Sequence, residues 1–594
     1  MPLTATNNLN QGAEGAAVAG RISPAISLLV IIAAVLPYLA SLRYGFVYDD
    51  DAQVLANAGI RSWHLVPAYF AKPISFFTGV ASAHYYRPMF FLWLRLNYFL
   101  WGTHAWGWHL ATLALHMLVS LLVLAMFREY FEDPKWAAAG ALIFAVHPAH
   151  VETVAWVSGC TDALLGLSLL GSVYLWMRDC EASSPWWRSG SLACCALALL
   201  AKETAVILPL IIFFHALLGI PARGRLREAG RSRLAAALRE AAPYAGVTAA
   251  YVMVRLWVLR GMPDSPPWIS KAQAFLTMPW LALFYVSHLT WPLKLSIFYD
   301  LPAVSGASGL LFWAPLVVLG TILAGTWICY QRSGDKRIAV AGLWFLLPLV
   351  PVLYFPFFQQ DDCVHDRYLY ISVLAVSLLV GILSEFLSKP EVRLKVGALR
   401  LVIPVILAVC LVTVTVAQAR PWENNLLLYI NATRLAPRNA VARNNLANQY
   451  IARGRYQEAR EMLNTLLEER PGMWLANYNY AFVNYRLGNL AIAEEYFRRA
   501  IRIDPSDADE HVYLGTTYFK EGRLPEAVEQ VRQGIARKPD GTGFHIVLGI
   551  ILVQQGNLTN AREEMQKELA YHSESAGALA QLRIIDGKLR TNTP

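Results

Sequence analysis

The stretch AISLLVIIAAVLPYLASL, Ala25 to Leu42, runs through Arg43-Tyr44-Gly45-Phe46-Val47-Tyr48 into three consecutive carboxylates, Asp49-Asp50-Asp51. A helix needs roughly 17–25 predominantly apolar residues to cross a bilayer, and this run supplies them. It follows about twenty polar residues and lacks a basic start, so it reads as a retained span and not as a cleaved signal. A charge drawn toward hydrocarbon costs roughly 2.5–3.5 kcal/mol even on a permissive scale, so an acidic cluster at that boundary marks a candidate site. The alternative is a solvated loop whose Asp caps the next segment.

Working outward, apolar runs of spanning length recur at 106–127, 136–156, 160–177, 241–259, 308–330, 338–358, 367–386 and 399–418. Segment 189–219 reads as two short helices broken at Lys202-Glu203. With 594 residues, 56% hydrophobic content and a mean hydropathy of +0.38, the chain is too apolar for one soluble core. The net charge of +9 does not form a nucleic-acid footprint. It gathers in short loops, with six arginines from Arg223 to Arg239, then Arg332, Lys336 and Arg337, then Lys389, Arg393, Lys395 and Arg400. Basic loops between apolar segments are the positive-inside signature, which places these three in the cytoplasm. Alternation then puts residues 1–24 inside as a polar leader, and Asp49 to Arg87, His147 to Asp162, Lys202-Glu203 and Gln359 to Arg367 outside. Segment 274–295 would reverse the parity, so it is assigned as re-entrant or interfacial, leaving about eleven crossings over 25–420. An odd number sends the C-terminal region outside.

After Arg420 a strict period appears. Pro437, Pro471, Pro505 and Pro539 are 34 residues apart, and Gly454, Gly488, Gly522 and Gly556 keep the same step, as do Ala459, Ala493, Ala527 and Ala561. That is the length of a tetratricopeptide repeat, a helix-turn-helix unit that buries its apolar face only against a neighbour and stacks into a solenoid. The fold class is therefore all-α: a polytopic membrane domain over 25–420, a leading helix over 421–436, repeats over 437–572 and a capping segment over 573–594. The seven cysteines show no paired CxxC spacing, which argues against zinc and against a disulfide framework.

The external span ends collect His84, Arg87, His109, His147, His150, Glu152, Asp162, Lys202, Glu203, Asp361, Asp362, His365, Asp366 and Arg367. Singly, each is an interfacial hydrogen-bonder; together, intramembrane charges tend to face a cavity and pair there. His147-Pro148-Ala149-His150 sets two histidines at i and i+3 across a proline, whereas a helical zinc pair uses i and i+4, so metal is not expected. Mixed acids and bases suit a different task, holding a lipid phosphate while a carboxylate handles a proton.

Phe46-Val47-Tyr48-Asp49-Asp50, Tyr86-Arg87-Pro88, Leu94-Arg95-Leu96-Asn97-Tyr98, Trp106-Gly107-Trp108-His109-Leu110 and His116 resemble the transmembrane and tetratricopeptide-repeat O-mannosyltransferases. The resemblance continues through His147 to Glu152, Cys160-Thr161-Asp162, Ala201-Lys202-Glu203 and Asp366-Arg367-Tyr368-Leu369-Tyr370, and with the repeats it covers nearly the whole chain. The chain departs from the pattern at Val151, at Cys160-Thr161 where Gly-Arg is usual, and at Asp366 where glutamate commonly precedes the arginine.

The resemblance implies a type C glycosyltransferase, an integral protein of the lipid bilayer that takes a sugar, mannose by default, from a polyprenyl-phosphate donor. It transfers that sugar to Ser/Thr hydroxyls of a protein acceptor docked on the repeats, with inversion. It implies Asp49 or Asp50 as the base, and Arg367, then Arg87 and Lys202, against the donor phosphate. Glu152, Asp162, His147, His150, Glu203, His109 and Tyr370 would surround sugar or acceptor. No metal or other cofactor is expected, because a monophosphate leaving group needs little neutralisation, and no nucleic-acid partner. The composition fits a bacterial inner-membrane protein with its site and repeats on the periplasmic side. Two other readings stand beside this one: a ligase or polymerase moving a lipid-diphosphate oligosaccharide, and a non-enzymatic membrane-anchored repeat scaffold for envelope assembly.

Overall fold

A computed structural model describes residues 23–78, 85–220, 232–260, 268–390, 392 and 399–591. His84 and most of the basic segments 223–239 and 393–400 lie outside the described residues. The chain divides into two compact units, Met1–Asn431 and Ala432–Pro594.

The first unit is a helical membrane domain. Ser23 caps its first helix through its own side chain and Pro24 occupies the first turn, where a missing N–H costs nothing. Among the described residues seven helices are long and apolar enough to span: Pro24–Arg43, Ala105–Arg128, Ser158–Ala182, Arg233–Leu259, Leu310–Ser333, Lys336–Leu353 and Val405–Glu423. An eighth crossing would come from Pro134–Val146 and Pro148–Ala155, a pair bent by 49°.

This is fewer than the sequence predicts, and the difference has local causes. Pro148 has no N–H to continue the ladder and holds His147 extended, at ψ 128°, which breaks the run 136–156. Segment 189–219 splits as expected at Lys202, whose φ of −157° ends the helix Pro185–Ala201 before Glu203–Leu218 begins. Helix Val373–Leu387 starts late because Asp366–Leu369 is spent on a 3-10 turn. Residues 274–295 fall mainly in a helix of 20 residues, Lys271–Thr290, which is not among the seven apolar spans.

Glycine sets one helix seam. A Cβ at Gly140 would meet the Ser377 carbonyl at 2.7 Å, and one at Gly381 would meet that of Trp136 at 2.9 Å, so Pro134–Val146 and Val373–Leu387 pack backbone to backbone. At the helix ends remote from Asp162, Arg188 bridges Asp179 (2.7 Å) and Glu240 (2.8 Å), and Trp176 also donates to Glu240. Arg337 similarly joins Asp335 and Glu385. These clamps fix one end of the bundle, and the candidate site occupies the other.

The second unit is the predicted solenoid. Helix pairs Ala440–Ala452 and Tyr456–Glu469, Trp474–Leu487 and Leu490–Ile503, Ala508–Lys520 and Leu524–Arg537, Phe544–Gln554 and Leu558–Tyr571 are followed by Ala576–Thr591. The four phased glycines sit between the helices of each pair at φ of +73° to +83°, a region most residues avoid. The four phased alanines are fully buried, because a larger side chain there would hold the paired helices apart.

Candidate functional site

The acidic loop turns sharply because Tyr48 adopts φ +53°, the left-handed region, which is rare for an aromatic residue. Its N–H donates to Asn425 Oδ1 at 2.8 Å and its hydroxyl to Asp362 Oδ2 at 3.3 Å. Its ring packs between Trp156 and Phe298, with centroids 5.5 and 5.8 Å away. That turn sends the next two carboxylates to different tasks.

Asp50 points inward and is fully buried. Its Oδ1 accepts the Ser158 N–H (2.9 Å) and hydroxyl (2.5 Å), and its Oδ2 accepts the Val47 N–H (3.0 Å). Burial pushes it up to about 7 in spite of these three donors. Asp49 is half-buried and takes one hydrogen bond, from Gln53 Nε2 at 3.3 Å. Burial, then the charge of Asp362, pushes it up to about 6, against the pull of Arg367 and His365. Asp50 is thus a staple between the loop and the turn at Ser158, and Asp49 keeps a carboxylate near cations.

Three cation–carboxylate pairs lie beside the loop, and they differ in what they leave available. Arg87 spends Nε and Nη2 on both oxygens of Glu203, at 2.9 and 2.5 Å, with its guanidinium over the Tyr85 ring. Lys202 holds both oxygens of Asp162 at 2.7 Å, and the side chains of the two are only 3% and 6% exposed. Arg367 gives Glu152 its Nη1 and its backbone N–H. Among the described residues Nε and Nη2 of Arg367 have no hydrogen-bond partner, and its side chain is 17% exposed. Its guanidinium also lies 5.2 Å from the Trp156 ring centroid and 5.4 Å from that of Tyr368. His365 sits between Glu152 (3.4 Å) and Asp362 (3.3 Å), tying the pair back toward Tyr48.

The structure therefore brings Asp49, Asp362, His365, Arg367 and Glu152 into one charged patch, and Arg87 and Arg367 both bear electrostatically on Lys202. Several residues singled out in the sequence already hold a partner. Lys202 is sealed by Asp162 and offers no free cation, and Asp162 in turn has its oxygens occupied. Glu203 is consumed by Arg87, and Glu152 by Arg367.

The histidines belong to the interior. His147 Nδ1 accepts the Ala149 N–H, so Nε2 carries the proton donated to the Leu289 carbonyl at 3.0 Å. His116 similarly donates Nε2–H to the Ala145 carbonyl and accepts the Tyr370 hydroxyl at Nδ1. His150 is fully buried between Phe144 and Tyr370, with ring centroids 4.6 and 4.5 Å away. His109 meets the Gly45 carbonyl at 3.4 Å and the edge of the Tyr44 ring.

Four groups that the sequence does not single out complete the site. Ser158 anchors Asp50; a Cβ on its neighbour Gly159 would meet the Glu152 carbonyl at 2.5 Å, so glycine lets the turn close. Trp156 stacks on Trp422 (5.8 Å, 22° between planes), and Asn425 holds Tyr48. Tyr299 donates to Asp366 at 2.5 Å. Asp366 is pushed well above the carboxylate range by burial and by the nearby Glu152 charge. Among the described residues no group of three or more His, Cys, Asp or Glu could hold a metal ion.

Fold and site together define a polytopic helical membrane protein with a charged patch at one end of its bundle and a tetratricopeptide-repeat solenoid. A model of the dolichyl-phosphate-mannose-protein mannosyltransferases matches residues 86–242, and one of the tetratricopeptide repeat matches 429–508 and 514–577. The human protein O-mannosyl-transferase TMTC1 is 25% identical over 488 residues, which are 74% of this chain and 54% of the relative. Human TMTC4 is 25% identical over 497 residues, 72% of this chain and 64% of the relative. The Drosophila melanogaster protein O-mannosyl-transferase Tmtc2 is 37% identical over 183 residues, 28% and 19% of the two chains. Among solved structures, the tetratricopeptide-repeat protein YrrB is 24% identical and is covered to 91%, against 30% of this chain, with a TM-score of 0.24. Over most of its length the chain is thus similar to protein O-mannosyl-transferases of the TMTC kind. It spans 54% and 64% of the two human relatives that it matches over most of its own length.

Proposed function

We propose that the chain is a membrane glycosyltransferase that moves a sugar, mannose in the first instance, from a polyprenyl-phosphate carrier to Ser/Thr hydroxyls of proteins on the face that carries Asp49. The observation that carries this reading is the juxtaposition of Asp49, which unlike the buried Asp50 is not committed to a staple, with Arg367, which unlike Arg87 and Lys202 keeps guanidinium donors to spare among the described residues.

A serine or threonine hydroxyl is a poor nucleophile until a base takes its proton in the transition state, a contribution of about 10²–10⁴ in rate. Asp49 accepts that proton as the oxygen bonds to the anomeric carbon. The bond from that carbon to the phosphate oxygen breaks on the opposite side, so one displacement inverts the centre. Negative charge gathers on the departing phosphate, where Arg367 meets it with donors from a side chain only 17% exposed, and positioned donors shielded from water are worth most. Glu152 and His365 fix the guanidinium, and Tyr368 and Trp156 limit its rotation. The repeats recruit acceptor chains, the task for which a stacked helical solenoid offers an extended concave surface.

The test is incubation of the purified full chain in lipid with polyprenyl-phosphate mannose and other polyprenyl-phosphate sugars plus a Ser/Thr-rich acceptor, followed by mass analysis. A single hexose on a hydroxyl supports the reading. Transfer from a lipid diphosphate only, or of an oligosaccharide, would overturn it.

A further inference from the structure

The acidic loop satisfies most of its own backbone. The Val47 N–H goes to Asp50 Oδ2, the Asp50 N–H to the Val47 carbonyl (3.1 Å), and the Gln53 N–H to the Asp49 carbonyl (2.8 Å). The N–H of Tyr48 instead leaves the loop and finds Asn425, 377 residues further along the chain. This is the residue held at φ +53°, a conformation that persists in a side-chain-bearing residue only when its surroundings impose it.

Asn425 is placed to impose it. The preceding Asn424 caps the helix Asn425–Leu435 by accepting the Leu427 N–H at 3.1 Å, so the Asn425 amide is not needed for capping and turns toward Tyr48. Two further contacts fasten the same short segment to the same loop. The Glu423 carbonyl accepts the Gly45 N–H at 3.2 Å, and Trp422 stacks on Trp156, which itself touches the Tyr48 ring.

We infer that Asn425 is a positioning residue for the reaction, acting through the strained Tyr48 backbone to aim the Asp49 carboxylate, and that segment Trp422–Asn425 is a working part of the site. The inference rests on the assignment of Asp49 as the base. A positioning residue that never touches donor or acceptor affects the transition state and not ground-state binding, so its loss lowers kcat and leaves KM for the donor in place.

The test compares the full chain in lipid with Asn425→Leu, which removes the acceptor, and Asn425→Asp, which keeps an oxygen in the same place. Hydrogen exchange of the segment 44–55 and transfer kinetics are both measured. In Asn425→Leu the segment should exchange at least about tenfold faster, as expected when a buried donor loses its partner, and kcat should fall about tenfold or more with donor KM within about twofold. Asn425→Asp should restore both the protection and most of the turnover. Unchanged exchange in Asn425→Leu overturns the inference whether or not the protein transfers sugar. Faster exchange with undiminished kcat also overturns it, because the fastening would then be structural only. If Asn425→Leu does not fold, the inference stands or falls on Asn425→Asp: loss of protection or of turnover in that variant, in protein that inserts normally, overturns it. Absence of transfer by the unaltered chain counts against the function proposed above and leaves the exchange result to decide this one.

Discussion

Neutralising the two adjacent carboxylates one at a time should separate chemistry from architecture. In Asp50→Asn, the amide oxygen can take over the Ser158 N–H and hydroxyl now on Oδ1, but its NH2 then faces the Val47 N–H, donor against donor. Turning the amide over saves the Val47 bond and loses both from Ser158. The better choice still leaves one buried donor unpaired, a cost of about 1–3 kcal/mol. In Asp49→Asn the single partner is the Gln53 amide, whose N–H an asparagine oxygen accepts as well as a carboxylate does, so stability should move by less than about 0.5 kcal/mol. Catalysis should show the reverse order. Asp49→Asn removes the base and should lower kcat by about 10²–10⁴, whereas Asp50→Asn retains the base on a looser loop and should lose less. The assay is the thermal midpoint of each variant in one detergent or lipid, paired with the initial rate of hexose transfer from polyprenyl-phosphate mannose. If Asp49→Asn keeps turnover within about tenfold while Asp50→Asn at full stability has none, the assignment of the two carboxylates is refuted.

Activity should rise with pH through about 6 as Asp49 loses its proton, because only the charged form accepts one from the hydroxyl. Asp362→Asn, which removes a charge that raises Asp49 but keeps an oxygen for the Tyr48 hydroxyl, should move that limb to lower pH in a rate profile; no movement, or movement upward, contradicts the arrangement. Glu152→Gln deprives Arg367 of its counter-charge, and breaking such a pair costs about 3–5 kcal/mol, so the variant should melt early and lose turnover even if donor affinity rises. Lys202→Met alone should be similarly damaging, but the double change with Asp162→Leu should recover the thermal midpoint, since a sealed ion pair can be replaced by apolar packing. Truncation of the repeats should raise KM for a protein acceptor more than it lowers turnover on a short Ser-containing peptide, and equal loss on both would count against recruitment.

How far the sequence carries depends on whether an interaction is local or distant. The solenoid is legible because Gly454, Ala459 and their counterparts report turn geometry and helix spacing within one unit, and the structure places glycine at each positive φ and alanine at each buried seam. The break at Lys202 is legible for the same reason, since charges interrupt an apolar run where the backbone also turns. Span count is less so: a hydropathy window cannot register that Pro148 diverts the chain by 49°, or that Asp366–Leu369 is drawn into a tight turn. The site depends on partners far apart in sequence. Asp50 with Ser158, Arg367 with Glu152 and Tyr48 with Asn425 are separated by 108, 215 and 377 residues. Nothing local to Ser158 or Asn425, two common polar residues, marks either as the one that meets the acidic loop. The histidines present the opposite case. They are conspicuous in the sequence, yet ring contacts and backbone carbonyls absorb them.

The charge pairs also bear on which cation can meet a phosphate. A donor phosphate entering beside Arg87 or Lys202 would have to displace a carboxylate already held through two oxygens, and a buried carboxylate set free costs several kcal/mol that the new contact would have to offset. Arg367 needs no such exchange. Its planar guanidinium offers five donors, of which Glu152 engages one nitrogen, so a phosphate oxygen can be added without removing the acid. Glu152 accepts the Arg367 backbone N–H as well as its side chain, so the same carboxylate that balances the guanidinium also holds the turn that presents it.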